Sequence, residues 1–184
     1  VAMLISSSAS PQVSADFTTL SATAGCGSLV VEFQDLSTGS PDTWLWDFGN
    51  GNTSNLQHPV AIYSTPGVYD VELKVLDGVT NDLKTVLSFI KVFNEPTADL
   101  QANSLTAGCM PLIVDFNDNS SSSSPIATWQ WDFGDGGSSN LQTPSYNFEN
   151  DGIFSVSLSV VDANGCQSLA TEIDLVDVNN VPVA

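Results

Sequence analysis

The chain writes one ten-residue string twice. "TWLWDFGNGN" occupies residues 43–52 and "TWQWDFGDGG" residues 128–137, 85 positions further on. The likeness extends in both directions. "ADFTTLSATAGCGSLVVEFQDLS" (15–37) returns as "ADLQANSLTAGCMPLIVDFNDNS" (98–120) at an offset of 83. "PGVYDVELKVLD" (66–77) returns as "DGIFSVSLSVVD" (151–162) at an offset of 85. The two extra residues enter where "DLSTGSPDT" becomes "DNSSSSSPIAT", which predicts a longer loop in the second copy. Self-similarity at a fixed period means one supersecondary plan built twice. The expected organisation is an apolar N-terminal segment (1–10), a first domain (11–93), a second domain (94–179) and a tail (180–184). A copy of about 85 residues is long enough to bury a modest core.

Within each copy the hydrophobic period is two. Tyr69, Val71, Leu73 and Val75 alternate with Asp70, Glu72 and Lys74. Phe154, Val156, Leu158 and Val160 alternate with serines, and Leu29, Val31 and Phe33 mirror Leu112, Val114 and Phe116. Alternation of this kind marks strands with one face in the core and one in water. Gly-Asn-Gly at 49–51, Gly-Asp-Gly at 134–136, Pro66-Gly67, Asp151-Gly152 and Asn164-Gly165 supply turn signals between them. No segment carries helical periodicity. The expected fold is all-β, two tandem antiparallel sandwiches of immunoglobulin-like type.

Trp44, Trp46 and Phe48 share one strand face, as do Trp129, Trp131 and Phe133. Such a row is either a stacking platform for a sugar or peptide, or the filling between two sheets. A domain this small has few other large side chains, so its core needs them. The first tryptophan of each pair starts its strand and is the one expected to be partly exposed.

The pattern W-x-W-D-F-G-[DN]-G, followed by a proline, an aromatic and G-x-[YF]-x-V-x-L-x-V-x-D, resembles the PKD domain, named for polycystic kidney disease repeats. Both copies carry it, and Trp131 to Gly136 is its most specific element. The resemblance implies an immunoglobulin-like sandwich of about seven strands. It also implies an extracellular setting in bacteria or archaea, where such domains serve as spacers, adhesin repeats, surface-layer parts and accessories of secreted proteases and chitinases. Where many members place a histidine between the proline and the following aromatic, this chain has Ala61 and Tyr146. Some members bind calcium through acids in the loop before the W-x-W-D strand. Here that loop is "STGSPDT" or "SSSSSPIAT", largely stripped of acids.

Charge and cysteine narrow the function further. The net charge is −18, and from Asn94 onward there are 12 acids and no cation. Such a surface repels nucleic acid and anionic membranes, and no apolar run is long enough to span a bilayer. In an oxidising setting, Cys109 and Cys166 near strand ends are expected to form a disulfide; two buried thiols are the alternative. At an offset of 85 the counterpart of Cys166 is Asn81, so Cys26 is left over. Asp35, Asp47, Asp77, Asp118, Asp132 and Asp162 fall at strand ends, where they either cap turns or converge on calcium. His58 has Thr143 as its counterpart and no nucleophile or acid partner in any motif, so no catalytic residue is expected, nor any cofactor beyond possible calcium.

The expected function is therefore non-enzymatic: a subunit or segment of a surface fibre, filament, adhesin or surface layer at the cell surface, acting through protein–protein contacts. Its expected partners are further copies or neighbouring extracellular proteins. The alternative is a polysaccharide- or protein-binding accessory of a secreted hydrolase. Val1, Ala2, Met3, Leu4 and Ile5 are apolar at every position, and they are the expected assembly segment, by strand addition to a free sheet edge; pairing within their own domain, or descent from a preceding domain, is the alternative.

Overall fold

The computed structural model describes residues 12–180. The expected assembly segment Val1–Ile5 lies outside the described residues, as does most of the 180–184 tail. The chain divides between Phe93 and Asn94 into two units, and the described residues of both form strands and turns without a helix.

The first unit comprises β1 (Phe17–Thr19), β2 (Ala24–Cys26), β3 (Leu29–Asp35), β4 (Thr43–Asp47), β5 (Thr53–Ser54), β6 (Val60–Tyr63), β7 (Gly67–Leu76) and β8 (Asn81–Phe93). They make a three-stranded sheet, β1-β3-β6, and a five-stranded sheet, β2-β8-β7-β4-β5. The second unit repeats the plan with β9 (Leu100–Ala102), β10 (Ala107–Cys109), β11 (Leu112–Asp118), β12 (Ile126–Asp132), β13 (Ser138–Ser139), β14 (Ser145–Phe148), β15 (Gly152–Asp162) and β16 (Gln167–Asn179). Its sheets are β9-β11-β14 and β10-β16-β15-β12-β13. Neighbours are antiparallel except β2 with β8 and β10 with β16, which run parallel.

Alternation decides what each strand buries. Val71, Leu73 and Val75 of β7 and Val156, Leu158 and Val160 of β15 point inward and are sealed from water. They meet Val31, Phe33, Val114 and Phe116 from the facing sheets. Trp46 and Phe48 complete the first core, with ring centroids 6.1 Å apart and nearly parallel planes. Trp131 and Phe133 complete the second in the same posture, 6.4 Å apart.

Three details differ from the sequence expectation. The two extra residues of the second copy do not lengthen a loop. Thr128 pairs with Val161 as Thr43 pairs with Leu76, so Ile126 and Ala127 extend β12 instead. A bulge between Ile126 and Thr128 absorbs them, and Ile126 gains a place against the core.

The turn before the last strand is one residue longer in the second unit. Val75 faces Asp82, whereas Val160 faces Ser168, which moves the offset to 86. Cys166 thus stands where Thr80 stands, not Asn81. Both residues donate their amide to the aspartate that opens the turn, Asp77 or Asp162.

The expected Cys109–Cys166 disulfide does not form. Cys109 pairs in register with Asn179 at the far end of β16, while Cys166 immediately precedes that strand. A 13-residue strand at about 3.3 Å per residue separates them by about 40 Å, against a Cα spacing of under about 7 Å in a disulfide. Cys109 is a free, exposed thiol, and Cys26 and Cys166 are the disulfide-bonded cysteines.

Candidate functional site

The recurrent W-x-W-D-F-G element is the most information-rich part of the chain, and each of its recurrent residues has a local structural task, while the variable Leu45 or Gln130 faces solvent. Trp46 and Trp131 are buried, and their indole N–H groups donate to the carbonyls of Leu56 and Leu141 at 2.9 and 2.8 Å. Those bonds tie β4 and β12 to the segments that follow β5 and β13. Asp47 and Asp132 accept the amides of Gly49 and Gly134, both at 2.9 Å, closing an Asx turn. Phe48 and Phe133 return to the core. Gly49 and Gly134 take positive φ of 71° and 82°, and a Cβ on either would stand 2.4 Å from the carbonyl oxygen of Asp70 or Ser155. Only glycine allows that approach.

The outer tryptophans are partly buried and belong to a second recurrent arrangement. Trp44 donates its indole N–H to Asp35 at 2.8 Å, and Gln57 donates its side-chain amide to the same oxygen at 3.0 Å. The other carboxylate oxygen accepts the Ser37 amide at 3.0 Å. In the second unit Asp118 takes the indole of Trp129 at 2.7 Å, the amide of Gln142 at 3.2 Å and that of Ser120 at 2.9 Å. One carboxylate at the end of β3 or β11 thus holds a tryptophan of the opposite sheet and a loop glutamine. Burial alone would push these carboxyls up. The donated hydrogen bonds outweigh it and hold both below the ordinary carboxylate range. Sequence reading placed Asp35 and Asp118 at strand ends but missed their indole and glutamine donors. The nearest signal was the repeated "NLQ" of residues 55–57 and 140–142.

The other acids considered for calcium also face amides. Asp77 accepts from Val79 and Thr80, and Asp162 from Asn164 and Cys166 with Ser122 Oγ on its second oxygen. Among the described residues no group of three or more His, Cys, Asp or Glu side chains gathers as a metal ion would need. His58 is exposed and accepts the Asp35 amide on Nδ1 at 3.1 Å, a backbone cap in the first unit. No buried side-chain polar atom among the described residues lacks a partner. The arrangement stitches sheets together through donors and acceptors that satisfy one another.

The PKD domain family model matches residues 8–90 and again residues 93–178. The chain belongs to the PKD domain family. Two solved domains of that name are similar to one repeat each. The PKD1 domain of Vibrio anguillarum Epp is 26% identical over 47% of this chain and 99% of that one, with a TM-score of 0.41. The PKD1 domain of the Vibrio cholerae metalloprotease PrtV is 28% identical over 45% of this chain and 98% of that one, with a TM-score of 0.40. Extracellular domains 3–5 of Drosophila OTK are 11% identical over 92% of this chain and 62% of that one, with a TM-score of 0.50, a likeness of fold. The tandem sandwiches are PKD domains with an immunoglobulin-like architecture. PKD domains serve as non-catalytic modules of surface and secreted proteins, and a disulfide accords with an extracellular setting.

Proposed function

We propose that this chain is a structural segment of an extracellular fibre, filament, adhesin or surface layer, acting through protein–protein contacts and without catalysis of its own. The observation that carries the reading is the fate of the W-x-W-D-F-G element. In both repeats the two tryptophans, the aspartate and the phenylalanine go to a core, a turn or a sheet-to-sheet hydrogen bond, which commits them to the fold, while the variable position, Leu45 or Gln130, faces solvent. An acidic, lysine-poor surface fits an exposed life: nucleic acid and anionic lipid are repelled, and trypsin-like proteases find three lysines and no arginine.

The competing reading is a binding accessory of a secreted hydrolase, and it draws on the metalloprotease that contains the PrtV domain. Co-sedimentation with insoluble chitin and cellulose separates the two. The structural reading expects the folded chain to stay in the supernatant with both polysaccharides. Saturable retention on either, abolished by soluble oligosaccharide, contradicts it.

A further inference from the structure

The last strand of each repeat carries an apolar stripe on its outer face that no residue of its own unit covers. On β8 the stripe is Leu83, Thr85 and Leu87, with Leu83 53% and Leu87 71% exposed. On β16 it is Leu169, Thr171 and Ile173, with Leu169 66% and Ile173 77% exposed. Pairing fixes the correspondence. Lys74 faces Leu83 as Ser159 faces Leu169, and Glu72 faces Thr85 as Ser157 faces Thr171. A left-handed residue interrupts both strands just beyond the stripe, Ser88 in one and Asp174 in the other. The strands then resume with buried Ile90 and Val92, or Val176 and Val178, so Lys91 and Asp177 between them point outward.

The two stripes therefore read Leu-x-Thr-x-Leu-x3-Lys and Leu-x-Thr-x-Ile-x3-Asp, equal in spacing and opposite in the sign of the closing charge. Beside the first stripe β7 presents both Lys74 and Glu72, the latter accepting the Thr85 hydroxyl, where β15 presents the neutral Ser159 and Ser157, so Lys91 and Asp177 are what set the two faces apart in sign. The three lysines of the chain all lie in the first repeat. One of them, Lys84, is engaged by Asp16. Packing a stripe on its own kind in the same direction would set Lys91 against Lys91 or Asp177 against Asp177. Packing one kind on the other sets Leu83 and Leu87 against Leu169 and Ile173, and Lys91 against Asp177.

We propose that the outer face of β8 in one copy packs on the outer face of β16 in a second copy, side by side in the same direction. The inference rests on the structural-module reading and gives it a specific contact. Each copy carries one face of each kind, so the contact is heterologous and gives an open filament wherever the rotation from copy to copy does not close a ring. Both repeats are net acidic, so assembly should be weakest at very low ionic strength, where their mutual repulsion is unscreened.

Charge reversal at exposed positions tests the contact without touching either core. Sedimentation of the full chain at near-physiological salt should show association that grows with concentration. Lys91→Glu and Asp177→Lys should each weaken it about tenfold or more, because a like pair replaces an opposite pair. An equimolar mixture of the two variants should recover pairing, since the Glu-bearing β8 of one then meets the Lys-bearing β16 of the other. Leu87→Asp with Ile173→Asp should abolish assembly while circular dichroism and melting stay those of the parent. A parent that assembles undisturbed by either reversal, or one whose assembly is lost only on removing residues 1–10, overturns this face and leaves the structural-module reading standing. A parent that remains monomeric at millimolar concentration overturns the contact and self-assembly together.

Discussion

The two repeats share their interior and differ along their seams. The Trp–Phe pair and the phenylalanine facing it (Phe33 or Phe116), the Asp–Trp–Gln clamp and the strand order recur, while Leu100 and Phe148 fill the places of Phe17 and Tyr63. The polar stitches between the first segment and the last strand do not. In the first repeat Asp82 accepts the Ala15 amide at 2.8 Å and Lys84 pairs with Asp16. In the second, Ser168 takes the Ala98 amide at 3.3 Å, and Ala170 stands where Lys84 stands. At the bulge the partners are exchanged: Asp70 on β7 accepts the Ser88 amide, whereas Ser155 on β15 accepts the Asp174 amide. An amide needs an acceptor, and either a carboxylate or a hydroxyl serves. The comparison separates what the fold demands, a close-packed interior and satisfied amides, from what it merely permits, the identity of the acceptor.

The largest expected effect lies where the repeats agree. Trp46→Ala and Trp131→Ala should each destabilise their own repeat by about 3–5 kcal/mol. Unequal losses in chemical denaturation would break the equivalence of the two cores. Reduction should come next, at about 2–4 kcal/mol for a disulfide. Peptide mapping should find Cys109 alkylated in the native protein, and Cys26 and Cys166 only after reduction. Native alkylation of Cys166 would contradict the assignment.

Removing the clamp carboxylate is a smaller change. Asp35→Ala or Asp118→Ala leaves an indole, a side-chain amide and a backbone amide without their acceptor, at about 1–3 kcal/mol. Both carboxyls are held below their unfolded value, so their stabilisation is complete above the ordinary carboxylate pKa of about 4 and fades as pH falls through the folded value. The first repeat adds Asp16, lowered by its hydrogen bond from Lys84, and Asp77, lowered by the amides of Thr80 and Val79. Repeat-resolved NMR during acidification should therefore show the first repeat unfolding at the higher pH. Simultaneous unfolding would show that these two carboxylates add nothing. The smallest effect belongs to the exposed seam: Lys84→Ala should cost the first repeat under about 1 kcal/mol. A larger loss in calorimetry would make the ion pair a requirement of the fold.

Much of this was legible in the chain itself, for identifiable reasons. Period-two alternation in β7 and β15 reports burial directly, because successive side chains must point to opposite faces. The core places of Trp46 and Trp131 follow from the shortage of other large side chains. The disulfide was not legible, since both cysteines of the expected pair lie at strand ends and only pairing register shows that those ends are opposite. Nor was the fate of the two inserted residues, which depends on whether a bulge can seat Ile126 against the core. The clamp was half visible: the aspartates stood out, but their donors are 9 to 24 residues away in sequence.

The central claim is that the recurrent tryptophans and aspartates hold the sandwiches together and do not receive a ligand. The four indole N–H resonances in a proton–nitrogen NMR spectrum test it most directly. Each indole donates to a carbonyl or carboxylate of its own repeat, so all four should exchange slowly with solvent. They should also stay unshifted when calcium or soluble chitin and cellulose oligosaccharides are added. Fast exchange at Trp44 and Trp129 with saturable shifts on adding one of these ligands would make the pair a binding site and contradict the account.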